Sequence, residues 1–195
     1  MNSTTRKNSH SVTRMIRTDH EQVMTLFHRL APDSPEADRA TTMRSICALL
    51  EVHAQLEEEI FYPTLQQLGI QSPALDHAAS DHEKMRGLIA RVRSLDGQRL
   101  TQLDAVNELI NAVLHHVADE ETQVLPAAER FVSGERLIEL GGRMAARRIE
   151  LAKPRAADMA RAAPAKAALV TVGALVAGSL LLKSLRRGRS VRTPY

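Results

Sequence analysis

A pattern of histidine and glutamate that could bind a metal ion occurs twice in this 195-residue sequence. In the first copy His53 is followed four residues later by Glu57, and in the second copy His116 is followed by Glu120. In each copy a second glutamate comes directly after the first, and a proline lies ten residues after the histidine. Because residues four apart lie on one face of an α-helix, each pair can direct an imidazole and a carboxylate at the same point.

Two further histidines, His20 and His82, each stand midway along an apolar helical stripe. One histidine in such a place is usually a core residue bonded to a carbonyl, so either alone would indicate little. Four of them, one in each predicted helix, come with two carboxylates, and a buried carboxylate is costly unless it is paired, protonated or bound to a metal. Because neutral imidazoles and carboxylates all donate electron pairs, a bound cation would satisfy the whole set.

The number and type of these side chains predict which metal they hold. Six ligands exceed the four donors of a structural zinc site, and they suit two ions, each with two histidines, bridged by the two glutamates. Histidine and carboxylate in a helical bundle favour a di-iron or mixed iron–manganese centre, with zinc as the alternative. Open coordination positions would remain for water or dioxygen. The glutamates next to the motifs either are solvated or orient the histidines. These are Glu58, Glu59 and Glu121.

The elements that position these residues are predicted to be helices, since helix formers are plentiful and only 3% of residues are aromatic. Apolar periodicity and breaks at Pro and Gly predict four long helices. They cover residues 11–30, 35–68, 73–95 and 98–130, with Ser34 as the N-cap of the second. Short connections favour an all-α, up-down-up-down four-helix bundle. A shorter fifth helix, Ser133 to about Leu151 and interrupted by Gly141-Gly142, is expected to cap the bundle.

Two other histidines near the motifs are predicted to lie outside the cluster. His115 aligns with a polar stripe of the fourth helix, so its neighbour His116 is the inward one. His77 is five residues from His82, roughly 140° around the helix, and is expected to be exposed.

The domain organisation predicted is a disordered leader over residues 1–10, the bundle over 11–152, and a basic C-terminal region over 153–195. The last region carries nine Lys or Arg and one acidic residue, a net charge of +8, which leaves −5 for residues 1–152. Nucleic-acid binding by the bundle therefore has little support. The single cysteine, Cys47, excludes an internal disulfide and suits a reducing compartment, and the polar stretch over residues 1–13 resembles no secretory signal.

A hydrophobic helix at about 165–183 is expected within the C-terminal region. Ala167 to Leu182 is a run of sixteen residues without a charge, short of the ~20 that usually cross a bilayer. The stems of the flanking Lys166 and Lys183 extend it, and an arginine-rich tail follows that would bind an anionic membrane surface. We expect a cytoplasmic domain attached to the inner membrane. The alternative is an Ala-rich soluble helix that packs on the domain or forms a homodimer through the tail.

The order of the motifs resembles that of the hemerythrin-like domains named after His-His-Glu cation binding. That resemblance covers about residues 10–152 and implies a ligand set for iron, with both glutamates bridging. The implied ligands are His20, His53, Glu57, His82, His116 and Glu120. The oxygen-carrying hemerythrins have a fifth histidine ligand, four residues from the other one on helix 3, where this chain has Ala78 or Arg86. Loss of that ligand should open the second metal, which puts simple reversible oxygen carriage in doubt.

Three classes of function follow from these expectations. The first is a non-haem di-iron protein that binds or senses dioxygen, another diatomic molecule, peroxide, iron or redox state, and is attached to a membrane. The second, less favoured, is a di-iron oxidase or peroxidase. The third is an interaction protein that the metal merely stabilises. Turnover of peroxide or nitric oxide would distinguish the second class, and loss of the fold on chelation without a redox spectrum would favour the third.

Overall fold

A computed structural model describes residues 11–30, 35–95 and 99–162 of the chain, with side-chain contacts for 11–30, 35–95 and 103–152. These residues are helical and no strand occurs among them. The helices are α1 (Val12–His28), α2 (Glu36–Leu56), α3 (Tyr62–Gln67), α4 (Pro73–Ser94), α5 (Arg99–Asp119), α6 (Leu125–Phe131) and α7 (Gly134–Ala162). Two π-helical segments, Glu57–Phe61 and Glu120–Val124, join α2 to α3 and α5 to α6.

The helices pack around a common apolar core. Helix α1 contacts α2 and α6, and α4 contacts α2, α5 and the second π segment. Side chains from α1, α2, α4 and α5 build the core, among them Val23, Ile46, Leu50, Met85, Ile89, Leu109 and Val113. This arrangement is consistent with a helical bundle and confirms the all-α class. The up-down-up-down order stays a prediction that rests on the short connections.

The helix boundaries follow local sequence signals. The Ser11 hydroxyl accepts a hydrogen bond from the Arg14 backbone N–H at 3.3 Å, and the Ser72 hydroxyl accepts one from Leu75 at 3.1 Å, so each caps its helix. Gly69, with a φ of 72°, takes the left-handed conformation just beyond α3. The predicted start of α2 was wrong by one residue, because Pro35 is itself the N-cap and Ser34 lies outside the described residues.

The two π segments correct the prediction of continuous α-helices over 35–68 and 98–130. In the first segment the Tyr62 N–H bonds the carbonyl of Glu57, five residues back, where an α-helix would use four. Pro63 follows directly; it has no N–H, and in an α-helix its ring would collide with the carbonyl four residues back. The second segment repeats this with Leu125, Glu120 and Pro126. Each predicted glutamate ligand therefore begins a segment of a kind that is frequent at functional sites.

Helix α7 is longer than predicted and is not interrupted at Gly141-Gly142. Leu140 and Met144 of this helix are fully buried, so the part of α7 within the first unit packs into the core. The prediction of an interruption was wrong, because the packing of apolar side chains outweighs the roughly 1 kcal/mol that each glycine costs in a helix.

The contacts divide the chain into two compact units, Met1–Glu150 and Leu151–Tyr195. The predicted leader (1–10), hydrophobic helix (about 165–183) and arginine-rich tail lie outside the described residues, so these and the domain limits stay predictions. None of the helices in the described ranges combines the length and apolarity needed to cross a bilayer.

Candidate metal centre

The structure brings all six predicted ligands together at the centre of the first unit. They are His20 on α1, His53 on α2, Glu57 in the first π segment, His82 on α4, His116 on α5 and Glu120 in the second π segment. Each is at most 3% exposed. His77 and His115 are exposed, as predicted, and take no part in the cluster.

Each glutamate lies between histidines from two different helices. Glu57 Oε2 is 3.2 Å from His53 Nε2 and 3.3 Å from His82 Nε2. Glu120 Oε2 is 3.3 Å from His20 Nε2 and 3.8 Å from His116 Nε2. These positions put each carboxylate within reach of a cation held among the four histidines.

The buried ring nitrogens and carboxylate oxygens of this cluster fit a bound cation. The residues form two overlapping groups, and within each group the ligand atoms all lie within 4.8 Å of one another. One group is His20, His53, His116 and Glu120, and the other is His53, Glu57, His82 and His116. Among the described residues, five buried atoms of the cluster have no hydrogen-bond partner: His20 Nε2, His53 Nδ1, His53 Nε2, Glu57 Oε1 and Glu120 Oε2. His53 Nδ1 faces Asp19, and the other four belong to the centre of the cluster. Several lie 3.2–3.3 Å from a neighbour, but not at hydrogen-bonding angles. Because buried polar atoms are rarely left unpaired, these atoms indicate that a metal ion is their partner.

Comparison with known proteins identifies the family. The family model of the hemerythrin HHE cation-binding domain matches residues 11–128, more than half of the chain. This chain belongs to that family. It is also similar to a DNA nickase of Nostoc sp. (strain PCC 7120 / SAG 25.82 / UTEX 2576), 25% identical over 121 residues. The match covers 62% of this chain but only 34% of the nickase, so the chain spans about a third of that relative. No solved structure matches the chain.

Membership of the HHE family and the buried cluster together are consistent with binding of a metal ion, iron in particular. Without a metal ion, the side chains of the cluster shift the pKa values of its histidines in opposite directions. Burial would lower the pKa of His20, but the carboxylates of Glu120 and Glu57 outweigh it and raise that pKa to about 9. Burial and the neighbouring imidazoles lower the pKa of His116 to about 3, in spite of Glu120. A lowered pKa favours the neutral form of His116, the form in which imidazole binds metals.

The two carboxylates of this HHE centre differ in the same way. Burial, and then the charge of Glu120, raise the pKa of Glu57 well above its usual range. Burial would also raise the pKa of Glu120, but His20, His116 and His53 lower it to about 2. Two carboxylates so close together are not easily both ionised without added positive charge, which a divalent cation supplies.

The outward nitrogens of three histidines face carboxylates. His82 Nδ1 lies 3.0 Å from Glu58 Oε1, and His20 Nδ1 lies 2.9 Å from Glu121 Oε1. With the proton on Nδ1, each ring donates to its carboxylate and turns Nε2 toward the centre, as metal-binding histidines commonly do. Glu58 and Glu121 thus orient histidines, whereas Glu59 bonds Gln55 and Arg147 at the surface.

Sequence reasoning missed the third of these carboxylates, Asp19. Its side chain is 4% exposed, and its Oδ2 lies 3.5 Å from His53 Nδ1. Arg148 of α7 donates two hydrogen bonds to Asp19, at 2.7 and 2.5 Å. Burial would raise the pKa of Asp19, but His53 and Arg148 lower it overall. One sequence feature could have drawn attention to Asp19, since the triplet Asp-His-Glu occurs at residues 19–21 and again at 81–83.

Replacing Asp19 by Asn is expected to weaken iron binding by about 10- to 100-fold, the usual effect of losing a carboxylate behind a ligand histidine. Replacing Arg148 by Met should weaken it in the same direction, because Asp19 loses the guanidinium that holds it in place. Titration of the chelator-treated protein with Fe(II) measures the affinity.

The adjacent Arg147→Met variant is the control, because Arg147 pairs with Glu59 at the surface and such pairs contribute little. Its iron affinity should equal that of the unmodified chain. Equal affinities in the Arg147→Met and Arg148→Met variants would contradict an orienting role for Asp19 and Arg148.

Tyr62 is a second residue that the sequence did not single out. It is 5% exposed, and its hydroxyl donates to Glu120 Oε1 at 2.8 Å and lies 3.1 Å from Glu57 Oε2. The same oxygen is 3.5 Å from His82 Nε2, and the two rings stack with centroids 5.6 Å apart. Burial and both carboxylates raise the pKa of Tyr62 well above its usual range.

A small cavity adjoins the other end of the cluster. Its volume is about 10 Å³, close to the minimum for one water-sized molecule. Asp19, His20, His53 and His116 line it together with apolar side chains, Val23, Leu49, Leu50, Val113 and Val117. Neither His82 nor Tyr62 is part of the lining.

Proposed function

We propose that this chain is a non-haem di-iron protein that binds or senses dioxygen or another molecule of similar size. The observation that carries the proposal is the pair of buried glutamates, each placed between histidines of two different helices. His20 and His53 would hold one iron, His82 and His116 the other, with Glu57 and Glu120 bridging. Mixed iron–manganese or zinc occupancy is the alternative for the same ligands.

Bound iron would supply redox chemistry and an open position for a small ligand. The protein contributes orientation and exclusion of water. Glu58, Glu121 and Asp19 fix the rings from outside, while the apolar cavity walls favour a diatomic molecule over an ion. Because the cavity has room for about one water-sized molecule, it supports dioxygen, nitric oxide or peroxide as the ligand more than an organic substrate.

The test is the metal content and visible spectrum of the purified full-length chain, prepared with and without oxygen. About two irons per chain and a charge-transfer band that responds to oxygen would support the proposal. Zinc alone, or iron without any response to oxygen or nitric oxide, would contradict it. Rapid turnover of peroxide by the iron-loaded protein would instead favour the oxidase or peroxidase alternative.

DNA cleavage, suggested by the printed name of the Nostoc relative, is not our proposal. Two metal ions can cleave phosphodiesters, but the six ligands here are at most 3% exposed. A DNA backbone could not reach ions held by side chains buried to that extent. Metal-dependent nicking of a supercoiled plasmid by the purified chain would overturn this reasoning.

We also propose that residues 167–182 attach the protein to the inner membrane, with the bundle in the cytoplasm. The support is the uncharged run of sixteen residues and the arginines that follow it. The full chain should fractionate with membranes and a chain ending at residue 155 should not. Recovery of the full chain in the soluble fraction without detergent would contradict the attachment, and a soluble dimer would favour self-association through the tail.

A further inference from the structure

We propose that the hydroxyl oxygen of Tyr62 is a seventh ligand of the centre, bound to the ion that His82 and His116 hold. This inference rests on the proposed di-iron function and adds a residue that the repeated motif does not contain. It would replace the expectation that the missing fifth histidine leaves the second metal open, because Tyr62 Oη lies on that side of the cluster, 3.5 Å from His82 Nε2.

The first support is the surroundings of the oxygen. Tyr62 Oη lies within 3.5 Å of three ligand side chains, Glu57, His82 and Glu120. A phenol has one proton to donate, whereas two carboxylate oxygens lie within hydrogen-bonding distance of it. A cation among these groups would accept electron pairs from all of them, the phenol oxygen included. Hard oxygen donors suit iron and manganese, so the chemistry of the donor also fits.

The second support is the way the backbone delivers Tyr62 to the site. In a regular α-helix, residue 62 would point roughly 140° away from residue 57. The π segment changes this, since the Tyr62 N–H bonds the Glu57 carbonyl directly and places the two residues one wide turn apart. The distortion that begins at Glu57 therefore turns both side chains, Glu57 and Tyr62, toward the same centre.

The third support is the asymmetry of the space around the cluster. The cavity reaches His20, His53 and His116 but not His82 or Tyr62. The phenol ring stacks on His82 and covers its side of the cluster. With Tyr62 as a ligand, the His82–His116 ion would have five protein donors and the His20–His53 ion only four, so a small ligand would bind preferentially at the His20–His53 ion. Ligation forms an oxygen–iron bond and breaks the O–H bond, and the proton leaves to solvent.

The experiment compares the full-length chain with its Tyr62→Phe and Tyr195→Phe variants, each loaded with iron and oxidised to the ferric state. The chain has only two tyrosines, so Tyr195→Phe is a matched control. We expect a visible phenolate-to-iron charge-transfer band, with phenolate ring vibrations in the resonance Raman spectrum, in the unmodified chain and in Tyr195→Phe. Tyr62→Phe should lose both signals, measured relative to its bound iron, with its helical circular dichroism unchanged.

Each of the other possible outcomes also decides whether Tyr62 binds iron. Two irons per chain without any phenolate signal would overturn the ligand role of Tyr62 and leave the di-iron function standing. A phenolate signal that persists in Tyr62→Phe and disappears in Tyr195→Phe would assign the signal to Tyr195 and overturn the proposal. Failure of the unmodified chain to bind iron would overturn the proposed function itself, and this inference with it. If Tyr62→Phe fails to fold, the signal in Tyr195→Phe still decides, because Tyr62 is then the only tyrosine in the chain.

Discussion

Replacing His116 by Ala is expected to remove most of the bound iron, whereas replacing the adjacent His115 should leave the iron content unchanged. The two residues are neighbours on α5, but His116 is 2% exposed and points into the cluster, while the His115 side chain is 71% exposed. In the arrangement that we propose, loss of His116 would leave the ion that it shares with His82 with one imidazole, the bridging carboxylates and the Tyr62 oxygen. The His82 ring would also lose a neighbour that helps to position it, because His116 Nε2 lies 3.2 Å from His82 Nε2.

Iron content per chain, measured on protein purified under identical conditions, tests this. His53→Ala and Glu120→Ala should behave like His116→Ala, and His77→Ala should behave like the His115 control. Thermal unfolding followed by circular dichroism shows whether each variant is folded. If the variants at buried and at exposed positions are all folded and hold the same amount of iron, the ligand assignment is wrong.

Removal of the metal should lower the thermal stability of the chain substantially. Metal that binds only the folded state stabilises it by about 4 kcal/mol when its free concentration is 1,000 times Kd. For a domain of this size that corresponds to a rise in Tm of roughly 8–16 °C. The physical reason is local, since buried nitrogen and oxygen atoms of the cluster that lack a hydrogen-bond partner among the described residues would donate electron pairs to the ion.

Thermal melts of the iron-loaded chain with and without a strong chelator measure the effect. Glu120→Gln provides the control, because a variant that does not hold iron should melt at the same temperature under both conditions. A Tm of the unmodified chain that is insensitive to the chelator would mean that the buried cluster is satisfied without a metal. That outcome would favour the purely structural bundle.

The sequence was sufficient to predict the helical class, the starts of the four long helices to within one residue, and the convergence of the six His and Glu side chains. Those features depend on local signals, namely the 3.6-residue apolar period, Ser caps, and the four-residue spacing from His53 to Glu57. The choice of His116 over His115 succeeded for the same reason, since neighbouring residues point to different faces of a helix.

The features that the sequence did not predict depend on contacts between distant residues or on departures from the α-helix. Arg148 meets Asp19 across 129 positions of the chain, and no local pattern indicates that pairing. Tyr62 was missed because a regular helix would have turned it away from Glu57, and only the π segment before Pro63 brings it back. The proline ten residues after each histidine was the visible sign of that segment.

The neighbouring glutamates of each motif make the two halves of the chain depend on each other. Glu57 and Glu58, from the first half of the chain, both approach His82 in the second half, while Glu120 and Glu121 approach His20 in the first. Each half therefore supplies carboxylates to a histidine of the other half, beside the Glu57–His53 and Glu120–His116 pairs within each half. Neither half on its own contains the full set of six side chains, so the centre forms only when the two halves fold together.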